Sequence, residues 1–226
     1  MIQDRPETHL FKKLMSESFQ REVENSRAIQ IAKHANVYTL GEQDQVLYFI
    51  ESGKVKLLMP SSEGRECLLA IHASGDVFGE LCLSGLADRL ETATAMEDTL
   101  LKTIPSAKFL ARLAADSLLE GFVKYLAVRV ADQQEVIANL VTADSEQRLG
   151  KTILNLARQL GKKGPHSTLI GLRISHDELS SMIGTTRPRV SVFMQRFRNL
   201  GLIEITEEHC LVVKEDKLTD YLTSIA

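Results

Sequence analysis

The sequence predicts an α+β chain in three parts: short β-strands, then one long helix, then a winged helix-turn-helix. Three observations carry this. Glycine-punctuated runs of branched and aromatic residues fill the first hundred positions. A heptad of apolar residues follows. A capped helix pair with a glycine turn and a short hairpin closes the chain.

The strand runs are clearest at residues 46–50, 55–59 and 67–71, with Gly41, Gly53, Gly64, Gly75 and Gly79 between or beside them. Glu63-Gly64 suits a hairpin turn, because glycine takes positive φ without steric penalty. Many short strands with turn signals about ten residues apart indicate a sandwich or barrel. A helical lead-in is expected over residues 10–27.

From residue 106 to 141 there is no proline, and the one glycine, Gly121, comes early. Leu119, Val123, Leu126, Val130, Ile137 and Leu140 alternate by four and three, with Gln133 filling the one polar gap. A seam of this length predicts a helix that meets a copy of itself. The domain boundaries expected from these signals are 1–105 for a β domain with its lead-in, 106–141 for a long dimerisation helix, and 142–226 for the helix-turn-helix.

Asp144 and Gln147 form a capping box for a helix that runs through residues 152–160 to Gly161, and residues 161–166 (GKKGPH) read as a surface turn. Beyond them, Ser175 and Glu178 repeat the capping-box spacing, and Leu179, Met182 and Ile183 give an apolar stripe. Gly184 ends that helix. A second helix starts at Thr185 or Thr186, tolerates Pro188 in its first turn, and turns Val190, Phe193, Met194 and Phe197 inward. Residues 202–205 and 211–213 then form the wing around a turn at 206–209.

In such a motif the N-terminal residues of the second helix meet base edges in the major groove. Here those are Thr186, Arg187, Arg189, Ser191 and Val192. Arginine can pair twice with guanine, and threonine or valine can touch a thymine methyl. Arg196 and Arg198 lie further along, where phosphates or partner acids are the expected contacts, and Arg196 is grouped with the DNA-binding set.

The charge supports this placement. The net charge is −3. Residues 1–141 hold 15 Lys+Arg against 20 Asp+Glu, a balance of −5, and residues 142–226 hold 12 against 10, a balance of +2. Residues 185–200 contain four arginines and no acid. A local basic face matters more to a phosphate backbone than the global sum.

Other classes find little purchase. No apolar run approaches the roughly 18 residues a membrane span needs, and the N-terminus lacks a signal-peptide layout, so a cytoplasmic protein without membrane contact is expected. Cys67, Cys82 and Cys210 are scattered, which disfavours a zinc site or disulfide framework. No metal spacing, nucleophile–base motif or phosphate loop is present, and no catalysis is expected. A ligand-binding module acting through protein contacts is the alternative of another class.

The chain resembles the CRP/FNR family of bacterial transcription regulators. The resemblance rests on LYFIESGKVKL (47–57), ASGDVFGELCLSG (73–85), RLETATAMEDTLL (89–101) and ISHDELSSMIGTTRPRVS (174–191). It implies an N-terminal β-roll of the cyclic-nucleotide-binding, jelly-roll type, a dimerisation helix and a winged helix-turn-helix. It further implies a homodimer on a two-fold operator in double-stranded DNA, contacts with RNA polymerase, and a small-molecule effector between roll and long helix.

The resemblance places that pocket at Phe78, Gly79, Glu80, Arg89, Leu90, Gln133 and Gln134. Glu80 stands where cyclic-nucleotide binders hold a ribose, and Arg89 where they hold the phosphate. Three features depart from the cyclic-AMP pattern. Leu90 replaces a serine. Gln133-Gln134 replace the Thr-Ser pair that contacts adenine. Glu91 adds a negative charge beside the phosphate site. No cofactor is fixed by these residues: cyclic AMP is one alternative, another effector or ligand-independent action the others. His72, His34 and Cys67 qualify as haem ligands by type only. In the recognition helix Arg187 matches the cyclic-AMP type, but Pro188 and Val192 replace its acid and second arginine, so a different half-site is expected.

Overall fold

The computed structural model describes residues 6–20, 27–60 and 66–225. They fall into two compact units, one ending at Arg129 and the other beginning at Val130.

The first unit holds eight strands: β1 (Arg27–Ile31), β2 (Asn36–Tyr38), β3 (Val46–Ser52), β4 (Lys54–Pro60), β5 (Glu66–Ala73), β6 (Val77–Phe78), β7 (Thr92–Ala95) and β8 (Thr99–Pro105). They pair antiparallel into two four-stranded sheets, ordered β1-β8-β3-β6 and β2-β7-β4-β5. The expected turn at Glu63-Gly64 lies outside the described residues, but the strands flanking it pair from Pro60↔Glu66 inward.

Strand β3 explains how the unit is layered. Its side chains alternate between faces, yet Leu47, Tyr48, Phe49 and Ile50 are all buried. Tyr48 and Ile50 join Tyr38, Val55, Leu57, Phe78 and Leu101 in an inner core between the sheets. Leu47 and Phe49 point the other way, into a second core with Phe11, Met15, Phe109, Leu113, Phe122 and Tyr125. Helices α1 (Pro6–Gln20) and α2 (Ser106–Ala115), with the start of α3 (Leu119–Thr142), supply that second layer.

Two expectations need correction here. The lead-in helix runs from Pro6 to Gln20 rather than over 10–27; residues 21–26 lie outside the described residues, and Arg27 already opens β1. The long helix is also two helices, with a break at residues 116–118. Arg112 draws Asp116 to 2.9 Å, Ser18 donates to the same carboxylate at 2.5 Å, and Ser117 takes a φ of +57°. The buried Leu113 and Leu118 are five positions apart and would lie about 140° apart around an unbroken helix. The kink turns Leu118 inward, so that Leu118, Phe122 and Tyr125 all face the roll.

The second unit contains the rest of α3, then α4 (Ser145–Leu160), β9 (Gly161–Lys163), β10 (Thr168–Ile170), α5 (His176–Ile183), α6 (Arg187–Asn199), β11 (Ile203–Ile205), β12 (Leu211–Val213) and α7 (Glu215–Ser224). The Asp144–Gln147 capping box is formed. The wing hairpin β11–β12 continues through β10 to β9 in one antiparallel sheet. Residues 161–166 are therefore not a bare turn: three of them form an edge strand whose lysines suit an exposed position.

Candidate functional site

In the helix-turn-helix, both ends of α5 follow from local chemistry. The Ser175 hydroxyl accepts from the Glu178 amide at 3.1 Å, and the Glu178 carboxylate accepts from the Ser175 amide at 2.9 Å. Gly184 sits at φ +63°, a left-handed conformation that other residues adopt only under strain. The chain turns there and enters α6 through Thr186.

Val190, Met194 and Phe197 bury one face of α6, which fixes the helix on its unit. The opposite face is open. Thr186, Arg187, Arg189 and Val192 are exposed, and the Thr186 hydroxyl is not used as a cap. The Arg187 side chain is 66% exposed, with its Nε 3.7 Å from the Asp177 carboxylate at the start of α5. Ser191 is half-buried and already engaged: its hydroxyl donates to the Arg187 carbonyl at 3.1 Å and lies 2.8 Å from His176 Nδ1.

Arg196 makes one of the two kinds of contact expected of it. Its Nη1 donates to Glu146 Oε2 at 2.5 Å, and Tyr221 donates to the other oxygen of the same carboxylate at 2.7 Å. Glu146 is buried at the start of α4, where a lone carboxylate would be costly. Arg196 therefore meets a partner acid and links α6 to α4.

The seam residues lie on an open face of α3. Leu119, Val123, Val130, Ile137 and Leu140 are all exposed, Val123 to 63% and Ile137 to 62%. Leu126 departs from them, because it packs partly against the second core of the roll. Val136 and Val141 are exposed beside the seam, outside its four-three spacing.

The roll places Phe78, Gly79, Glu80 and Arg89 together. Phe78 is fully buried and stacks on Tyr48 at 5.1 Å. Gly79 follows at φ +77°, a conformation other residues adopt only under strain, and a Cβ there would lie 2.8 Å from Arg89 Nη1, which would have to shift. Arg89 itself is 3% exposed and turned inward. Its Nη1 donates to the Gly79 carbonyl at 2.9 Å, and its Nη2 donates to the Val46 carbonyl at 2.5 Å and to the Asp44 carboxylate. The Tyr38 ring lies 4.2 Å away across its face.

Glu80 pairs with Arg129 of α3 at 3.0 Å. Glu91 is buried and accepts from the Tyr38 hydroxyl at 2.8 Å; burial pushes its carboxyl up, against the lowering pull of that hydrogen bond. Leu90 is exposed, and Gln133 and Gln134 are exposed residues of the other unit.

A polar chain the sequence did not disclose runs beside this cluster. Lys12 pairs with Asp76 at 2.7 Å, and the Tyr125 hydroxyl donates to Asp76 at 3.2 Å. Burial pushes the Asp76 carboxyl up, but the Lys12 ammonium and other neighbours outweigh it and hold it below the usual range. His72 is buried against Phe78, with Nδ1 3.9 Å from Asp76. Burial, reinforced by the Arg129 charge, pushes its imidazole down to about 4. His34 and Cys67, by contrast, are exposed.

A cyclic nucleotide-binding domain model matches residues 28–116, and a Crp-like helix-turn-helix domain model matches residues 147–221. The chain belongs to the CRP/FNR family. It is a transcription regulator with an effector-type roll and a DNA-binding head, and CRP/FNR regulators bind DNA and act as dimers.

Among CRP/FNR relatives, a CRP-like cAMP-activated global transcriptional regulator of Mycobacterium tuberculosis is 26% identical over 183 residues, 80% of this chain and 82% of that protein. The global nitrogen regulator of Synechocystis sp. is 28% identical over 228 residues, covering 99% and 98%. A solved structure of a CooA mutant from Carboxydothermus hydrogenoformans is 26% identical, with a TM-score of 0.73 and coverage of 87% and 88%. A Xanthomonas campestris regulator described as c-di-GMP responsive has a TM-score of 0.72 at 21% identity, a likeness of fold.

Within the CRP/FNR frame, sequence reasoning missed the inward face of α3 and the whole of α7. The spacing of Phe122, Tyr125 and Arg129 was a readable signal for the first. Leu218 and Leu222, four apart and both buried, were a signal for the second.

Proposed function

We propose that two copies of the chain meet along the exposed seam of α3 and read a two-fold DNA site with paired α6 helices in successive major grooves. Arg187 and Arg189 take guanine edges, Thr186 and Val192 supply shorter polar and apolar contacts, and Ser191 stays tied to His176. The division of labour is sensory roll, dimerisation helix and DNA-reading head. RNA polymerase is the further partner the family resemblance implies, the cytoplasm is the compartment such a role requires, and catalysis plays no part.

The observation that carries this reading is the open, arginine-bearing face at the start of α6. Arginine placed at a helix start in the major groove offers two donors to guanine O6 and N7. A second support is the row of exposed apolar residues on α3, which a partner helix would cover.

The test begins with an operator selected from a random DNA pool. Arg187→Ala should then cost on the order of 1–3 kcal/mol at the preferred site and relax discrimination at one base pair. Unchanged affinity and selectivity would remove Arg187 from the reading set. For the seam, Val130→Glu with Ile137→Glu should give monomers in light scattering and weaken operator binding; these two are better targets than Leu126, which also serves the roll core. A double variant that stays dimeric would place the interface elsewhere.

A further inference from the structure

We propose that the roll carries its own anion: the Asp44 carboxylate occupies the position on Arg89 that a phosphate would take, so that an anionic nucleotide enters only by displacing it. The inference concerns regulation of the roll, at the residues that the family resemblance assigns to an effector, and leaves DNA reading untouched.

A guanidinium binds a phosphate oxygen pair through two parallel N–H groups, and each of its two forks includes Nη2. In Arg89 both Nη2 hydrogens are engaged, one by Asp44 and one by the Val46 carbonyl, while Nη1 is held by Gly79. Only Nε lacks a partner, and Nε alone cannot form a fork. The ring of Tyr38 lies against the guanidinium at 4.2 Å, and Tyr48 lies 5.5 Å from it.

The local charge points the same way. Three carboxylates, Asp44, Glu80 and Glu91, cluster here with the two cations Arg89 and Arg129. A cyclic phosphate would add a fourth negative group to a site whose guanidinium is almost fully buried, where repulsion is weakly screened. Asp44 is also tethered to the same fold, so its effective concentration at Arg89 far exceeds that of a dilute ligand.

The experiment uses the full chain with two probes, cyclic AMP and inorganic phosphate, followed by thermal melts and calorimetric titration. Wild type should ignore both at millimolar concentration. Asp44→Ala should melt lower without ligand and recover in a dose-dependent way with either probe, binding at least tenfold more tightly than wild type. Recovery with phosphate alone still supports the self-held anion. Adding Arg89→Lys to Asp44→Ala should abolish the gain by removing the fork. If Asp44→Ala fails to fold, Asp44→Asn removes the charge while keeping the volume.

Wild type that binds cyclic AMP as tightly as the variants would overturn the proposal. So would Asp44 variants that respond to neither probe. Operator binding by the same proteins is scored separately and reports on DNA reading alone.

Discussion

Arg187 and Arg89 are the same residue type in opposite circumstances. Arg187 stands on an open helix face with one loose acid 3.7 Å away. Arg89 is enclosed by two carbonyls, a carboxylate and a tyrosine ring. The first retains donors to offer a ligand, and the second has few left. The contrast teaches that a motif match supplies a residue type, while its burial and partners decide whether its donors remain available. Arg196 falls between the two, half-exposed but bound to a buried carboxylate.

Variants at these arginines sharpen that contrast. The largest effect is expected at Arg89. Arg89→Ala takes the donor from the Gly79 and Val46 carbonyls and the cation from the quarter-exposed Asp44, a combined loss of about 3–5 kcal/mol of stability by denaturant unfolding. Stability within 1 kcal/mol of wild type, on the order of a surface change, would break the assignment of Arg89 as a structural staple. Arg196→Ala should cost about 1–3 kcal/mol of stability, because Glu146 keeps only its tyrosine donor. Its operator base preference should be unchanged, the reverse of the Arg187→Ala pattern. A specificity change on Arg196→Ala would return that residue to the reading set.

The smallest effect at neutral pH is expected at His72. Its imidazole is held neutral down to about 4 in the folded chain, against an ordinary value of 6.5. The unfolded chain therefore takes up a proton first as pH falls. The stability this difference contributes is complete above 6.5 and is lost progressively between 6.5 and about 4. Arg129, Asp76, Glu80 and Lys12 are the charged groups around it. Melting midpoints measured across that window should fall less steeply for His72→Phe than for wild type. Parallel profiles would show that other groups govern the acid side.

Much of the DNA-reading head was legible because its signals are local. Ser175–Glu178, Asp144–Gln147 and Gly184 each act within a few residues, and all three form as the spacing predicts. The strands of the roll were legible for the same reason. What escaped was set by contacts across long sequence distances. Arg196 meets Glu146 fifty positions earlier, and Arg89 meets Asp44 forty-five positions earlier. Neither pairing leaves a periodic trace. The break in the long helix depends on Ser18 reaching Asp116 and on the roll surface that Leu118 must meet.

The placement of Arg129 has a mechanical consequence. Arg129 is tied to Glu80, and its neighbour Val130 begins the second unit on the outward seam. Successive residues in a helix are set 100° apart, and the stretch from Arg129 to Thr142 is roughly 20 Å long. Arg129 also lies over the Tyr125 ring, whose hydroxyl donates to Asp76, so the inward side of α3 is fastened to the roll by a salt link, an aromatic contact and a hydrogen bond within little more than one turn. Three fastenings of different chemistry share that load, so removing the Glu80 carboxylate alone leaves two in place, and a substitution there should loosen this side of the helix less than the loss of a lone anchor would.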